Sequence, residues 1–350
     1  MKIAFLFFNF ILFIYPMRIW ALLPDPVAEP LKSTILRGIE LTLNNQFEQA
    51  DQLYQDIIDS LPHYPAGYFY KGATMQAEML DAENFQNKQA FYTLMNKTIQ
   101  IADSLDRLGE DNAWIYFYKG SAYLYRSFLK MKDGNWYAAY QDARKGVKTL
   151  EAAVQKDSTL YDAYLGIGSY KYWKSAKAKF LLWLPFISDQ REQGMELVSE
   201  AIQKGLFIEV VGKDQLVWIL MDYGDIRQAL ILARENHQSY PTSRFLKWTL
   251  ASAAFYAGEW PLSEKLYDEL LLEVRQLPVN NGFNEVDCLV RLAEIARENE
   301  SWDKTLLYAD EALRISMDSD TRERAKNKLK KALEIRQEAE EQIKKTEVAR

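Results

Sequence analysis

The chain has 350 residues, 48 % of them hydrophobic and 13 % aromatic, with a formal net charge of -6. That much apolar material excludes a disordered chain, and the mildly acidic balance argues against a nucleic-acid binder, which presents a basic face. One cysteine, Cys288, and two histidines, His63 and His237, leave no internal disulfide, thiolate cluster or ordinary histidine-based zinc or triad site to assemble.

In chain order, Lys2 precedes an apolar run from Ile3 to Tyr15, followed by Pro16 and by Ala21 before Leu22. A positive start, an apolar stretch, a helix breaker and a small residue describe an export signal over residues 1–21. The rival is an uncleaved anchor, although Asn9, Pro16 and Arg18 interrupt the span. Residues 22–31 form a linker with Pro24, Pro26 and Pro30. Residues 32–320 then read as a helical repeat of about seven hairpins.

The first hairpin is marked by Gly38, Ala50, Tyr54 and Pro62, and the second by Tyr68, Gly72 and Met75. The third begins at Ala113 and runs Tyr116-Phe117-Tyr118-Lys119-Gly120-Ser121-Ala122-Tyr123, with Gly146, Leu150 and Ala153 on its second helix. Extra residues surround Lys132-Asp133-Gly134-Asn135, where Asp-Gly reads as a turn. The fourth echoes it through Tyr164-Leu165-Gly166-Ile167-Gly168-Ser169-Tyr170, then Gly194, Val198 and Ala201. A long insertion from Trp173 to Arg191 contains the uncharged run Phe180–Phe186, which reads either as a cover for a neighbouring hairpin or as an exposed docking loop. Leu216, Ala229, Ala233 and Pro241 mark the fifth, Leu250, Ala251, Ala254 and Tyr267 the sixth, and Leu292, Ala293, Ala296, Ala309 and Ala312 the seventh. Residues 321–350 are charged, with a narrow stripe of Leu329, Ala332, Ala339 and Ile343 that suits a capping helix. Arg336 in the middle of that stripe weighs against a coiled-coil arm.

These offsets resemble the tetratricopeptide repeat, whose unit of about 34 residues runs through a large residue, Leu-Gly, an aromatic, Ala, Phe and a closing Pro. The resemblance covers nearly everything after the linker. It implies an all-α, right-handed superhelical solenoid of antiparallel helix hairpins with a charged C-terminal capping helix. The tyrosine-rich central units, the export signal and the insertion before Gln190-Arg191-Glu192-Gln193-Gly194 look like exported tetratricopeptide proteins of Gram-negative bacteria. That narrower likeness implies a periplasmic or cell-envelope location.

In tetratricopeptide proteins the first helices line a concave groove that holds an extended peptide or a partner helix. The resemblance therefore places Phe69, Trp114, Phe117, Tyr125, Tyr172, Trp173, Trp218, Trp248, Phe255 and Tyr256 on that side. Phe69, Phe117 and Phe255 are expected between hairpins, and Tyr116 and Tyr164 in the core. Trp114, Tyr125, Tyr172, Trp173, Trp218, Trp248 and Tyr256 are the expected anchors, because tryptophan and tyrosine give large contact area with few rotors to freeze. Asp162, Asp214 and Asp222 are expected to set the groove's charge and favour a basic or amine-bearing ligand.

The resulting expectation is a non-enzymatic, exported scaffold for a protein or peptide, with no cofactor, metal or nucleic acid. Membrane association is expected, if anywhere, through the N-terminal segment or the Phe180–Phe186 run. The alternative is a carbohydrate-binding or carbohydrate-active helical protein, in which the tryptophans stack on sugar rings and two acids among Asp162, Asp214, Asp222 and Glu294 act as acid and base. Cys288 reads as a small buried hydrophobe. His63 and His237 sit where second helices end, near the terminal carbonyls. Gly166-Ile167-Gly168 lacks the preceding strand and third glycine of a dinucleotide loop.

Overall fold

A computed structural model describes residues 28–177 and 188–348. The expected export signal and the Phe180–Phe186 run lie outside the described residues. Among the described residues there are fifteen helices and no strand. The first hairpin is α1 (Leu31–Leu43) with α2 (Phe47–Ser60), the second α3 (Pro65–Asp81) with α4 (Lys88–Arg107), the third α5 (Ala113–Lys132) with α6 (Trp136–Lys156). The fourth is α7 (Asp162–Lys177) with α8 (Arg191–Lys204), the fifth α9 (Glu209–Tyr223) with α10 (Ile226–Ser239). The sixth is α11 (Arg244–Tyr256) with α12 (Trp260–Arg275), and the seventh α13 (Phe283–Glu298) with α14 (Trp302–Arg314). The last helix, α15 (Ser319–Val348), packs on both helices of the seventh hairpin.

Local sequence sets the helix ends. Pro65 opens α3, where a missing N–H costs nothing. The Asn112 side chain accepts from Trp114 N at 2.9 Å and starts α5. Gly224, with φ of 103°, ends α9 in the left-handed region that glycine enters without strain.

Close approach within the central hairpins depends on paired glycines. A Cβ on Gly168 would fall 2.6 Å from the Gly194 carbonyl oxygen, and one on Gly194 would fall 2.7 Å from that of Gly168. Gly120 and Gly146 stand in the same reciprocal relation in the third hairpin, each 2.9 Å from the other's carbonyl. The two helices of each pair touch backbone to backbone, so no side chain can yield to relieve an added methyl.

One apolar core runs from Ile35 through Tyr118 and Leu150 to Ile167, and a second from Val217 to Ala332. Tyr172, Val198 and Ile219 form a smaller cluster in hairpins 4 and 5. On α15, Ala325, Leu329, Ala332, Ile335 and Ala339 are buried. Arg336 is half-buried and pairs with Asp310 of α14 at 2.7 Å and with Glu340 at 3.0 Å.

The winding is tight enough for the chain to meet itself. At the end of α3, Asp81 accepts two hydrogen bonds from Arg244 Nε (2.9 and 3.1 Å) and one from Arg244 Nη2 (2.5 Å). The Asp81 carbonyl accepts from Asn284 at 2.8 Å, and the Glu83 carbonyl accepts from Asn281 at 2.9 Å. The Glu83 carboxylate pairs with Arg324 at 3.0 Å and also with Lys132. One hairpin back, Asn45 donates to the Thr242 carbonyl at 2.7 Å. Hairpins 1 and 2 are thereby latched to hairpins 6 and 7 and to α15.

Two stability predictions follow from these contacts. Gly194→Ala should cost about 2 kcal/mol, the usual scale for overpacking against an interior that cannot shift, read as a lower urea midpoint; an unchanged midpoint would show that the hairpin spreads freely. Asp81→Ala should cost about 3 kcal/mol, because it strands the Arg244 guanidinium where its side chain is only 16 % exposed. A loss below about 1 kcal/mol, as for a surface pair, would mean the latch is not closed in solution.

Candidate functional site

The concave side of the first hairpins is filled by the chain itself. Asp162, at the first turn of α7, accepts backbone N–H bonds from Leu206 at 2.7 Å and Phe207 at 2.8 Å. Those bonds fix the short link between α8 and α9 and drive the Phe207 ring inward. It meets Trp114 with centroids 5.6 Å apart and Tyr70 at 6.2 Å, both edge-on. Phe69, Phe117 and Tyr118 complete the cluster. Burial pushes the Tyr70 and Tyr118 phenols well above their ordinary range.

This filling corrects part of the expected groove. Trp114 is 7 % exposed, Tyr172 is fully enclosed, and Asp162 and Asp214 are buried. The Tyr172 hydroxyl lies 3.1 Å from the Ile219 carbonyl and 2.7 Å from the Asp222 carboxylate. Asp214 accepts from the Thr249 hydroxyl at 2.5 Å and from the Trp218 indole. These four side chains hold the solenoid's interior together and are not available to a partner. Tyr125 is half-buried, edge-on to Phe69 at 5.3 Å.

Tyr116 and Tyr164 depart from expectation in the other direction. Both are half-buried at the surface rather than in the core. The Tyr116 hydroxyl donates to Asp106, and that of Tyr164 donates to the Ser158 carbonyl at 3.1 Å. Phe69 and Phe117 are buried as expected, and Phe255 is half-buried against Trp260.

What stays open lies on the first helices of hairpins 5 to 7. Trp218 is 37 % exposed, and Asp222, one turn further along α9, is exposed with its carboxylate oriented by Tyr172. On the adjacent α11, Tyr256 is 54 % exposed, and the Arg291 guanidinium of α13 sits 5.9 Å from its ring centre. Trp248 is half-buried against Tyr267, and Trp173 half-buried against Tyr172 with the Lys177 ammonium 6.0 Å above its ring. An acid and two aromatic rings thus lie open on the first helices of hairpins 5 and 6, with the paired Arg291 of hairpin 7 beside them.

The acids do not assemble a hydrolytic pair. Asp162 and Asp214 are occupied internally, and Glu294 pairs with Arg291 at 2.9 Å. Among the described residues no cluster of His, Cys, Asp and Glu has the arrangement to hold a metal, and no helix is long and apolar enough to cross a membrane. Cys288 is buried and its thiol pushed up by burial.

A second opening, a cleft of about 700 Å³, lies where α15 meets α4 and α5 at the latch. Its cations are Lys88, Arg126, Lys130, Lys132 and Arg324, and each is already ion-paired with Glu83, Asp133, Asp142 or Asp320. Sequence reasoning missed the latch, the Phe207 ring and an exposed aromatic group on α6, Trp136, Tyr137 and Tyr140. Of these only the last left a signal, the extra residues around Asp133-Gly134.

No protein-family model and no curated protein matches the sequence. Solved structures do. The crystal structure of the APC/C hetero-tetramer Cut9–Hcn1 contains a chain 13 % identical to this one, with a TM-score of 0.54 over 89 % of this chain and 57 % of that one. Yeast Tom70 is 13 % identical over 91 % of this chain and 66 % of its own, with a TM-score of 0.43. The C-terminal part of a TPR repeat-containing protein from Cytophaga hutchinsonii is 17 % identical over 83 % of this chain and 98 % of its own, at 0.39. The chain spans less than two thirds of the length of the first of these. The fold is a tetratricopeptide-like helical solenoid.

Asp214 yields a pH prediction. Burial pushes its carboxyl up to about 7, and the Thr249 and Trp218 donors only partly oppose the shift. The folded state therefore holds a proton that the unfolded chain has released above about 4. The stability this provides is fully present below about pH 4 and is lost as pH rises to about 7, at up to about 1.4 kcal/mol per unit. In Asp214→Asn that fall should disappear from urea midpoints measured across the window. A wild-type profile with the same slope as the variant would show that Asp214 is ionised when folded.

Proposed function

We propose that the protein is a non-enzymatic, exported scaffold that holds a segment of a partner protein across the first helices of hairpins 5 to 7. The observation carrying this reading is the row of Trp218, Asp222 and Tyr256 on the first helices of hairpins 5 and 6, left open where the concave side of the earlier hairpins is packed shut, with Arg291 of α13 half-buried beside Tyr256. Exposed tryptophan and tyrosine beside fixed charges is the composition of interface hot spots. Asp222 recommends a lysine or arginine on the partner. The solenoid fold supports a scaffold, since its stacked hairpins offer a long surface and a chain of the same fold sits in the Cut9–Hcn1 hetero-tetramer. Export rests on the pattern of residues 1–21, and recovery of the protein in the cytoplasmic fraction of its producing cells would overturn it.

A photoreactive residue placed at Tyr256 in those cells should crosslink one reproducible protein. Trp218→Ala with Tyr256→Ala should then weaken its capture by about thirtyfold, the loss of roughly one hot spot, with helicity retained by circular dichroism. Undiminished capture by that folded variant would refute the assigned face.

A further inference from the structure

The third hairpin is the longest among the described residues, with 20 residues in α5 and 21 in α6 against 16 and 14 in α7 and α8. Its tip gathers Phe128 (40 % exposed), Trp136 (64 %) and Tyr137 (75 %), and Tyr140 (49 %) follows one turn down α6. Rings of this size left so exposed call for a partner surface.

The charge around them is unusual for this chain. Positions 137, 140, 144 and 148 fall on one face of α6, so Arg144 and Lys148 continue the stripe that the rings begin. The Arg144 guanidinium lies 5.8 Å from the Tyr140 ring centre. Tyr170 of α7 lies near Tyr140, Arg144 and Glu151, and the Lys174 ammonium stands 6.0 Å from its ring. Of the cations on α6 and α7, only Lys156 forms an ion pair, with Asp111, among the described residues. Of the acids on these two helices, Asp142 is buried beneath Arg126 and Lys130, and Asp162 is buried on the Phe207 link. Glu151 is the acid left exposed, at the far end of the stripe. A chain of net charge -6 thus keeps one aromatic face with an excess of unpaired cations.

We propose that this face, Trp136, Tyr137, Tyr140, Arg144 and Lys148 of α6 with Lys174 of α7, docks the protein side-on against an anionic phospholipid bilayer. The stripe covers three turns along one helix, so α6 lies along the surface and every member reaches it together. Trp and Tyr rings with free polar tips settle at headgroup level, and the hydroxyls of Tyr137, Tyr140 and Tyr170 form no hydrogen bond among the described residues. Unpaired cations gain from an anionic surface without first breaking an internal pair, unlike those in the latch cleft. A fluid layer of headgroups also needs no complementary groove, and a flat helical face provides none. The inference does not depend on the partner-protein reading, because it uses α6 and Lys174 of α7 and none of the residues of α9, α11 and α13.

The test uses the full chain with Tyr137→Cys carrying an environment-sensitive fluorophore; Cys288 is fully buried and leaves the new thiol the reactive one. Probes are vesicles of phosphatidylcholine alone and of phosphatidylcholine mixed with phosphatidylglycerol. The label should shift to the blue with the mixed vesicles only, and less so at high salt. Arg144→Glu, Lys148→Glu and Lys174→Glu together should weaken that partition by on the order of a hundredfold, with helicity unchanged. A label that stays unshifted while the protein sediments with vesicles would assign membrane contact to another segment and overturn the proposal. An equal shift in the charge-reversed chain would do the same. So would a shift with soluble polyglutamate but not with vesicles, which would instead mark the face for an acidic protein.

Discussion

The bidentate pairing of Arg244 with Asp81 is the contact on which the solenoid's curvature turns. Stacked hairpins alone set a small rotation per repeat, and many pitches satisfy nearest-neighbour packing. Joining the end of α3 to the start of α11 selects one. The pair is poorly solvated, its side chains 16 % and 7 % exposed, so desolvation opposes the Coulomb gain. What tips the balance is satisfaction of the surrounding groups. Asn284 and Asn281 take the carbonyls of Asp81 and Glu83, and Arg324 reaches the Glu83 carboxylate. Glu83 itself holds a φ of 47°, and Arg324 reaches both its carboxylate at 3.0 Å and its carbonyl at 3.2 Å.

Closure at this pitch brings the concave sides of the early hairpins within reach of later segments, and Phe207 occupies the space. The cost of bending the α8–α9 link inward is offset by two charge-assisted bonds to Asp162, whose burial would otherwise be unfavourable. Asp162 is therefore a structural anion. Its raised pKa comes from burial, and the two N–H donors pull against that rise. The functional consequence is a division of the concave surface. Phe69, Trp114, Phe117 and Tyr172 of hairpins 2 to 4 are core, and Trp218 and Tyr256 of hairpins 5 and 6 stay at the surface.

The hairpin order was legible because it is written in local contacts. Gly120 with Gly146 and Gly168 with Gly194 stand at positions where one helix backbone meets the next, and only glycine fits. The site was legible in part. Trp218 and Tyr256 are open, but Trp114 and Tyr172 obey the same spacing and are closed over by residues that no repeat pattern relates to them. A contact such as Arg244 with Asp81, 163 residues apart, leaves no periodic trace. Asp162 at a helix start reads equally as a surface cap or a buried anchor, and the difference is made by a loop two helices away. Tyr116 and Tyr164 failed for another reason. An amphipathic ring satisfies a packing position with its body while its hydroxyl reaches the rim.

The state of its cations gives the best guide to which surfaces of such a molecule are free to act. Around the latch each of Lys88, Arg126, Lys130, Lys132 and Arg324 has a carboxylate, so an incoming anion would have to displace one already in place. Binding there gains only the difference between two similar pairings. In the α6 stripe and beside it, Arg144 and Lys174 rest on the Tyr140 and Tyr170 rings, an attraction worth about 1 kcal/mol or less at exposed sites. They can turn from ring to phosphate at little cost while the rings themselves enter the interface. The same reasoning separates Asp222, held by one phenol and facing water, from Asp214, held by two donors and dry. Exposure alone would have ranked none of these correctly. Exposure combined with an uncommitted charge singles out Asp222 beside Trp218 and Tyr256 on the inside of the coil and the α6 stripe on its outside.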